Sequence, residues 1–280
     1  MPELPEVETV RRQLEAAVCG KRITSLAAPG SRVARRGRLD RSAAEGSSVT
    51  AVLRAGKFLI LALETGTALG VHLGMSGRLL LAGPGSPTEP HTTLRLLFDD
   101  GSSVALVDPR TFGEAWISKR LEEPPYLGEI AGLGVDLLAA EEAVAAALVR
   151  AASSRRSVKA VLLDQGVVAG LGNMYADEVL FRVGIHPETP ASPVLAGLAG
   201  EIARSARAVV EQALAARGTT FRDRGYRDLH GNLGTNLRQL FVYQRDGLPC
   251  YLCRTPVVRS RFQGRHSHWC PACQEGPAWS

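Results

Sequence analysis

Residues 250–273 read CYLCRTPVVRSRFQGRHSHWCPAC, with a C-x2-C pair at each end and 16 residues between the pairs. This spacing fits two knuckles that close a tetrahedral zinc site with four thiolates, those of Cys250, Cys253, Cys270 and Cys273. A redox pair would also explain one C-x2-C, but the duplicated spacing favours a metal. Because four protein ligands leave zinc no open position for water, we expect one structural Zn²⁺.

Basic charge is concentrated around this segment. The chain carries a formal net charge of +5 and has a pI near 9.1. Residues 217–265 alone hold ten arginines against three aspartates. The overall charge of +5 is only a mild excess, which suits nucleic acid, another acidic partner or no partner at all. We expect Arg259, Arg261 and Arg265 to face a phosphate backbone, although ordinary solvated charges would give the same composition.

Helical patterns precede the cysteine-rich segment. A stretch without Lys or Arg, residues 121–149, marks a domain boundary near its start. The turn Gly170-Leu171-Gly172-Asn173 precedes one amphipathic pattern, and free N–H groups at a helix start favour an anion such as phosphate. An ordinary N-cap at Asn173 explains the same residues equally well. The predicted helices cover roughly residues 141–152, 156–164, 173–183 and 194–216.

The first 118 residues show one helical pattern and then short strands. Pro5 lies in the first turn of the predicted helix, whose apolar positions are Leu4, Val7, Val10, Leu14 and Val18. After Ile23 the pattern changes to short apolar runs separated by glycine, proline and aspartate, which predicts an antiparallel sandwich or barrel. The runs cover residues 49–54, 58–63, 68–73, 79–82, 94–98 and 104–107.

Several polar positions of this N-terminal part have no role that composition reveals. Pro2 and Glu3 are ordinary helix-start residues. Lys57, residues 72–77 (HLGMSG) and residues 108–113 (DPRTFG) have the composition of turns and strand ends. Residue type alone therefore does not separate a functional site from a structural turn here.

The order of these segments resembles a known family. Residues 1–9, MPELPEVET, are similar, nearly letter for letter, to the opening of bacterial formamidopyrimidine-DNA glycosylases. Matching segments follow in the family's order across nearly the whole chain: Gly56-Lys57, residues 72–77, residues 108–113, residues 170–176, and the four-cysteine finger with Arg265 five residues before Cys270.

The resemblance implies an α+β fold. Its parts would be an N-terminal β-sandwich with a leading α-helix, a helical domain with a helix, two-turn, helix element, and a zinc finger. The corresponding domains would be the catalytic sandwich at residues 1–121, the DNA-binding domain at 122–237 and the finger at 238–280. The implied activity is base-excision repair of DNA by a glycosylase that also cleaves the backbone.

The resemblance also implies which residues perform the chemistry. The secondary amine of Pro2, which becomes free once Met1 is removed, would attack C1′ of the damaged nucleotide and form a Schiff base. Glu3 would protonate the opening sugar ring, and Lys57 would assist as an electrostatic and proton-transfer partner. β- and then δ-elimination would expel both phosphates. Arg265 would complete this catalytic set as a phosphate contact.

The implied partner is double-stranded DNA with a damaged base or an abasic site. A flipped base leaves a gap in the duplex, and the residues implied to fill that gap are Met75, Arg110 and Phe112. The further contacts implied with DNA, mostly with its phosphates, are those of His72, Lys57, Lys159, Asn173 and Tyr243. We expect a monomer of the bacterial cytoplasm, associated with the nucleoid and not with a membrane.

Some positions depart from the family pattern and leave alternatives open. Thr111 replaces an arginine that many relatives carry, and residues 221–239 lack the Gly-Tyr-Phe stretch expected in a loop that caps the flipped base. We expect oxidised purines, 8-oxoguanine and formamidopyrimidines, as substrates. The alternatives are oxidised pyrimidines, as in the endonuclease VIII branch, and a damaged-DNA-binding protein without catalysis, which would not need Pro2, Glu3 and Lys57 together.

Overall fold

The computed structural model describes residues 2–29, 39–118, 130–153, 155–221, 225–262 and 264–274. The chain forms two compact units. The first contains Met1–Gly132 and Ala213–Leu237, and the second contains Leu133–Gln212 and Arg238–Ser280. The three-domain division expected above stays a prediction, and its boundary between residues 121 and 122 lies outside the described residues.

The first unit begins with helix α1, Leu4–Val18, as the apolar spacing predicts. Pro5 suits the first turn because backbone N–H groups there have no helical acceptor, so proline, which lacks an N–H, loses no hydrogen bond. The helix stops before Gly20, whose φ of 83° favours glycine. Its buried face, which includes Val7, Val10 and Leu14, joins the core of the sandwich. Complete burial of each such side chain contributes roughly 1.5–3 kcal/mol.

Two antiparallel four-stranded sheets follow α1 in this unit, which confirms the predicted β-sandwich with a leading helix. One sheet has the order β1-β6-β7-β5 and the other β2-β3-β4-β8. The strands are β1 (Ile23–Ala27), β2 (Val49–Ala55), β3 (Phe58–Leu63), β4 (Ala68–His72), β5 (Arg78–Ala82), β6 (Thr92–Phe98), β7 (Ser103–Val107) and β8 (Glu114–Ser118).

Residues 213–237 belong to the first unit although they follow the helices of the second. Leu81 donates its N–H to the carbonyl of Leu229 at 2.9 Å, and Gln13 on α1 donates to Asp228 at 3.1 Å. Leu229 is fully buried in the sandwich core. Long-range contacts of this kind explain why the compact unit extends beyond the N-terminal sequence.

The second unit is mainly helical and ends in the cysteine-rich hairpin. Its helices are α2 (Glu141–Arg150), α3 (Val158–Leu162), α4 (Asn173–Arg182) and α5 (Ala191–Ala215), the last of which runs into the first unit. Two short strands, β9 (Val135–Asp136) and β10 (Val168–Ala169), pair in parallel, and β11 (Val258–Phe262) pairs with β12 (Arg265–Trp269) in antiparallel fashion. Among the described residues, no helix is long and apolar enough to cross a membrane.

Candidate functional site

The start of α1 is buried and firmly anchored. Pro2 and Glu3 are both buried, and Glu3 is only 3% exposed. Glu6 accepts the N–H of Glu3 at 2.9 Å and, through its other oxygen, the N–H of Thr219 at 2.8 Å. A Cβ at Gly218 would lie 2.9 Å from the Glu6 side chain, so glycine permits this close approach. Glu6 therefore fixes the backbone from which Glu3 and Pro2 extend.

Lys57 lies in the two-residue turn between β2 and β3. Ala55 pairs with Phe58 across this turn, and Gly56 has a φ of 54°, as the first central residue of a type II′ turn requires. The side chain of Lys57 is largely buried, with 8% exposure of the residue. The turn therefore places the Lys57 side chain inside the first unit, where lysine is uncommon.

His72 ends the neighbouring strand β4. Burial and the charge of Lys57 lower the pKa of His72, while Glu114 opposes the shift, so the imidazole is neutral near pH 7. Its Nδ1 accepts the N–H of Gly74 at 3.2 Å. The proton of the neutral ring is therefore on Nε2, which can donate to an anion such as phosphate.

Two loops of the first unit, residues 73–77 and 108–113, are held against each other. A Cβ at Gly74 would lie 2.5 Å from the backbone of Phe112, so only glycine permits this contact. Asp108, 1% exposed, accepts the hydroxyl of Ser76 at 2.6 Å and the N–H of Gly113 at 2.6 Å. Asp108 thus ties one loop to the other. The sequence indicates a turn at this aspartate but does not reveal its bonds to the neighbouring loop.

The same loops present two exposed apolar side chains. Met75 is 47% exposed and Phe112 is 41% exposed. The guanidinium of Arg110 lies 5.1 Å from the centroid of the Phe112 ring, within the range of a cation–π interaction. Exposed apolar side chains indicate a contact surface where several of them lie together. The structure therefore brings Arg110 and Phe112 together on loops that also carry Met75.

In the second unit, Lys159 is buried within a polar cluster. Its Nζ lies 2.6 Å from a carboxylate oxygen of Asp177 on α4 and donates to the hydroxyl of Ser267 at 2.6 Å. The other oxygen of Asp177 accepts the N–H of His268 at 2.9 Å. Asp177 and Lys159 thereby join helices α3 and α4 to strand β12. Lys159 thus has partners inside the protein, and its predicted contact with DNA stays a prediction.

Asn173 contacts the hairpin of β11 and β12, which contains Arg265. The side-chain amide of Asn173 donates to the carbonyl of His266 at 2.8 Å, and Lys159 donates to the same carbonyl at 3.1 Å. Arg265, the preceding residue, is exposed. Lys159 and Asn173 thus converge on one carbonyl of strand β12, that of the residue next to Arg265.

Tyr243 is placed by a carboxylate that sequence reasoning missed. Glu178 on α4 is 2% exposed and accepts three consecutive backbone N–H groups, from Phe241, Val242 and Tyr243, at 2.7, 2.9 and 2.8 Å. The Tyr243 ring lies 4.7 Å from that of His268. No local pattern indicates the role of Glu178, because its partners are more than 60 residues away.

The four cysteines form a cluster suited to a metal. Their sulfur atoms all lie within 4.8 Å of one another, and the thiols are free of disulfides. Cys250 and Cys273 are 3.9 Å apart, and Cys253 lies 3.4 Å from Cys270 and 3.5 Å from Cys273. A tetrahedral ion with metal–sulfur bonds of about 2.3 Å requires sulfur atoms about 3.8 Å apart. The side chains present thus fit a tetrahedral metal site.

The buried pair of Lys159 and Asp177 allows a stability prediction. Asp177→Asn should destabilise the protein by about 3 kcal/mol, because it leaves the Lys159 charge buried without its counter-ion. The matched control is Asp164→Asn, which removes an exposed partner of Arg156 and should cost less than about 1 kcal/mol. Urea unfolding measures both, and equal shifts of the unfolding midpoint would contradict the prediction.

Comparison with known proteins covers nearly the whole chain. Residues 1–115 match the formamidopyrimidine-DNA glycosylase N-terminal domain, and residues 133–224 match the formamidopyrimidine-DNA glycosylase H2TH domain. The chain is 40% identical over 288 residues to the formamidopyrimidine-DNA glycosylase of Corynebacterium jeikeium strain K411, an alignment that covers 98% of this chain and 100% of that one.

Solved structures give the same result. The MutM (Fpg) protein of Thermus thermophilus has a TM-score of 0.87 at 38% identity, covering 99% of this chain and 100% of that chain. A Lactococcus lactis Fpg mutant in complex with Fapy-dG containing DNA has a TM-score of 0.85 at 30% identity, covering 98% and 100%. A MutM complex with carbocyclic 8-oxo-G containing DNA has a TM-score of 0.83 at 31% identity, with the same coverage.

These matches confirm the resemblance seen in the sequence and the α+β fold that it implies, including the helix, two-turn, helix domain. The chain therefore belongs to the formamidopyrimidine-DNA glycosylase family of DNA-repair enzymes, which are DNA glycosylases with abasic-site lyase activity.

Proposed function

We propose that this enzyme excises oxidised purines, 8-oxoguanine and formamidopyrimidines, and then cleaves the abasic site by β,δ-elimination through a Schiff base at Pro2. The observation that carries the proposal is the anchored N-terminus, where Glu6 holds the backbone of Glu3 beside Pro2. An ordinary helix start does not need a buried carboxylate tied to a loop more than 200 residues away. The lesions carried by DNA in solved relatives support purines as substrates.

Pro2 is the nucleophile in this proposal. An unperturbed α-amine has a pKa of about 7.7–8.0, so part of the population is unprotonated at neutral pH without a dedicated base. The nitrogen lone pair attacks C1′, and the bond from C1′ to the base breaks. The base takes up a proton as it leaves, and ring opening gives an iminium between Pro2 and C1′.

Glu3 and Lys57 move protons around this intermediate. Glu3 protonates the sugar-ring oxygen as the ring opens, and its carboxylate then accepts protons in the later steps. The iminium acidifies the proton on C2′, so its removal expels the 3′-phosphate, and a second elimination expels the 5′-phosphate. The cation of Lys57 stabilises negative charge on the departing groups.

The exposed loop residues would hold the gap in the duplex. Met75 and Phe112 supply apolar surface in place of the flipped base, and Arg110 can hydrogen-bond the orphaned base on the opposite strand. His72, Asn173, Tyr243 and Arg265 would contact phosphates, with Lys159 supporting the hairpin that carries Arg265. Double-stranded DNA is thus the partner, and we propose a monomer that works in the bacterial cytoplasm at the nucleoid.

The four cysteines would hold one Zn²⁺. Bound zinc would cross-link the segment before β11 to the segment after β12 and so fix the hairpin between them. Four thiolates satisfy its tetrahedral geometry, so the ion supports structure and takes no part in the cleavage steps.

The role of Phe112 gives a selective prediction. Phe112→Ala should slow excision from an intact lesion duplex roughly 10- to 100-fold, because unstacking a base costs a few kcal/mol. Strand cleavage at a preformed abasic site, where less unstacking is needed, should change less than about threefold. The control is Leu53→Ala, which removes another exposed apolar side chain, 44% exposed, from β2. Equal losses on both substrates would make Phe112 a packing residue.

A substrate comparison tests the proposed function itself. Initial rates of nicking are measured on duplexes that carry 8-oxoguanine opposite cytosine, thymine glycol, or a single abasic site. The proposal expects the 8-oxoguanine duplex to be cleaved faster than the thymine glycol duplex, and the abasic site to be nicked. Faster cleavage of thymine glycol would assign the enzyme to oxidised pyrimidines, and binding without any cleavage would exclude catalysis.

A further inference from the structure

A buried ion pair connects the helix that begins at the catalytic N-terminus with the strand that leads to Lys57. Glu8, in the second turn of α1, accepts a hydrogen bond from Nε of Arg54 on β2 at 3.0 Å. The side chains of Arg54 and Glu8 are only 7% and 8% exposed. The pair therefore spans two elements that each carry a residue of the proposed reaction.

The same guanidinium also holds the turn that contains Lys57. Nη1 of Arg54 donates to the carbonyl oxygen of Gly56 at 2.8 Å. That carbonyl belongs to the peptide bond between Gly56 and Lys57. The hydrogen bond therefore fixes the orientation of the peptide group that precedes the Lys57 side chain. One planar side chain thus binds a carboxylate of α1 and the backbone beside Lys57 at the same time.

Stability alone is a weak explanation for this arrangement. Desolvation of two charges offsets most of the attraction in a buried ion pair, so such pairs often contribute little net stability. A guanidinium differs from an ammonium because its donors are planar and rigid, which fixes the directions of two partners at once. Arg54 therefore fixes the positions of its two partners, Glu8 and the Gly56 carbonyl, more than it stabilises the fold.

Glu8 is itself held in place by further arginines. Nε of Arg11 lies 3.0 Å and Nε of Arg12 lies 2.8 Å from its carboxylate oxygens. Burial raises the pKa of Glu8, but hydrogen bonds from Arg11, Arg12 and Arg54 outweigh it and lower the pKa overall. The carboxylate is thus a fixed, ionised anchor for Arg54.

We propose that Arg54 is a positioning residue, which sets the Lys57 side chain relative to Pro2 and Glu3 through its joint hold on Glu8 and the Gly56 carbonyl. The inference rests on the role given to Lys57 in the proposed function. Arg54 would act through Lys57 and would not touch DNA itself.

The first test is Arg54→Lys, which keeps the charge but replaces the planar guanidinium by an ammonium whose donors all lie on one nitrogen atom. The single-turnover rate of 8-oxoguanine excision should fall about 10- to 100-fold, since a displacement of about 1 Å can cost that much. Affinity for a duplex with a reduced, uncleavable abasic analogue should change less than about twofold. The matched control is Arg12→Lys, which alters a 60% exposed partner of the same carboxylate and should retain the rate.

A double-mutant cycle distinguishes positioning from general damage. If Arg54 acts through Lys57, Arg54→Lys should cause no further loss in a Lys57→Met background. Glu8→Gln, a second variant in case Arg54→Lys folds poorly, should show the same non-additivity with Lys57→Met. Independent losses, an unchanged rate in Arg54→Lys or Lys57→Met, or an equal loss in Arg12→Lys would overturn the inference. Borohydride trapping of the wild-type enzyme, with the adduct located by mass spectrometry, tests Pro2 as the nucleophile without any Arg54 or Lys57 variant, so a failure of the proposed function can be told apart from a failure of this inference.

Discussion

A preparation that keeps Met1, or that carries an N-terminal tag, should lose base excision and strand cleavage by roughly 1,000-fold or more. When Met1 remains, the Pro2 nitrogen is part of an amide, whose lone pair is delocalised into the carbonyl and is not nucleophilic. Removal of Met1 leaves a free pyrrolidine nitrogen that can form an iminium at C1′. Rates on an 8-oxoguanine duplex, measured on preparations with and without Met1, give the result directly.

The matched control carries the same tag at the C-terminus and should retain activity. Sodium borohydride added during turnover should reduce the iminium and leave a stable adduct between protein and DNA, and mass spectrometry of the peptides should place the sugar on Pro2. An adduct on Lys57 or Lys159 would contradict the proline mechanism. Release of the base with no adduct at all would contradict the lyase step.

Local sequence patterns predict the framework of the first unit well. The spacing of apolar residues indicates a helix that begins near Leu4, and the structure has α1 at Leu4–Val18. The run from Phe58 to Leu63 coincides with β3. Short-range periodicity is sufficient in these cases because each element buries one face, or both, in a single core.

The groups that organise the site could not be predicted in the same way. Glu6 has the spacing of a capping residue, but its second partner, Thr219, is 213 positions away. Asp177 and its partner His268 are separated by 91 positions, and Glu178 binds backbone N–H groups that have no sequence signature. A carboxylate that holds distant backbone looks like any helical Asp or Glu until the fold is known.

The family resemblance predicts roles for residues that composition does not distinguish, because the local chemistry of these residues is ordinary. Pro2 and Glu3 look like a helix start, and the structure shows that they are one, with Glu6 as the capping partner. The same residues can serve folding and the proposed catalysis because the capping hydrogen bond between Glu6 and the Glu3 N–H holds the backbone beside Pro2 in place. A structural role and a functional role of this segment are therefore compatible.

Cys270→Ser should abolish zinc binding and weaken the affinity for DNA by at least about tenfold near 0.1 M salt, because a phosphate-binding hairpin would lose its fixed shape. Structural zinc sites contribute about 10–16 kcal/mol of apparent binding free energy in isolated fingers, so removal of one ligand should unfold this region locally. The N-terminal sandwich, which has its own core, should keep its circular dichroism signal. The salt dependence of DNA binding should also become weaker, by about one unit of slope for each phosphate that the hairpin no longer binds.

The control is Cys19→Ser, since Cys19 is exposed at the end of α1 and outside the cysteine cluster. That variant should keep its zinc and its affinity for DNA. Zinc is measured per protein chain by atomic emission, and affinity is measured on the same preparations by fluorescence anisotropy with an uncleavable abasic duplex. Zinc content that is unchanged in Cys270→Ser would contradict the four-thiolate site. If zinc is lost while the affinity for DNA and its salt dependence stay unchanged, the hairpin with Arg265 does not bind phosphate. Binding by that hairpin would weaken when the zinc-held region around it unfolds.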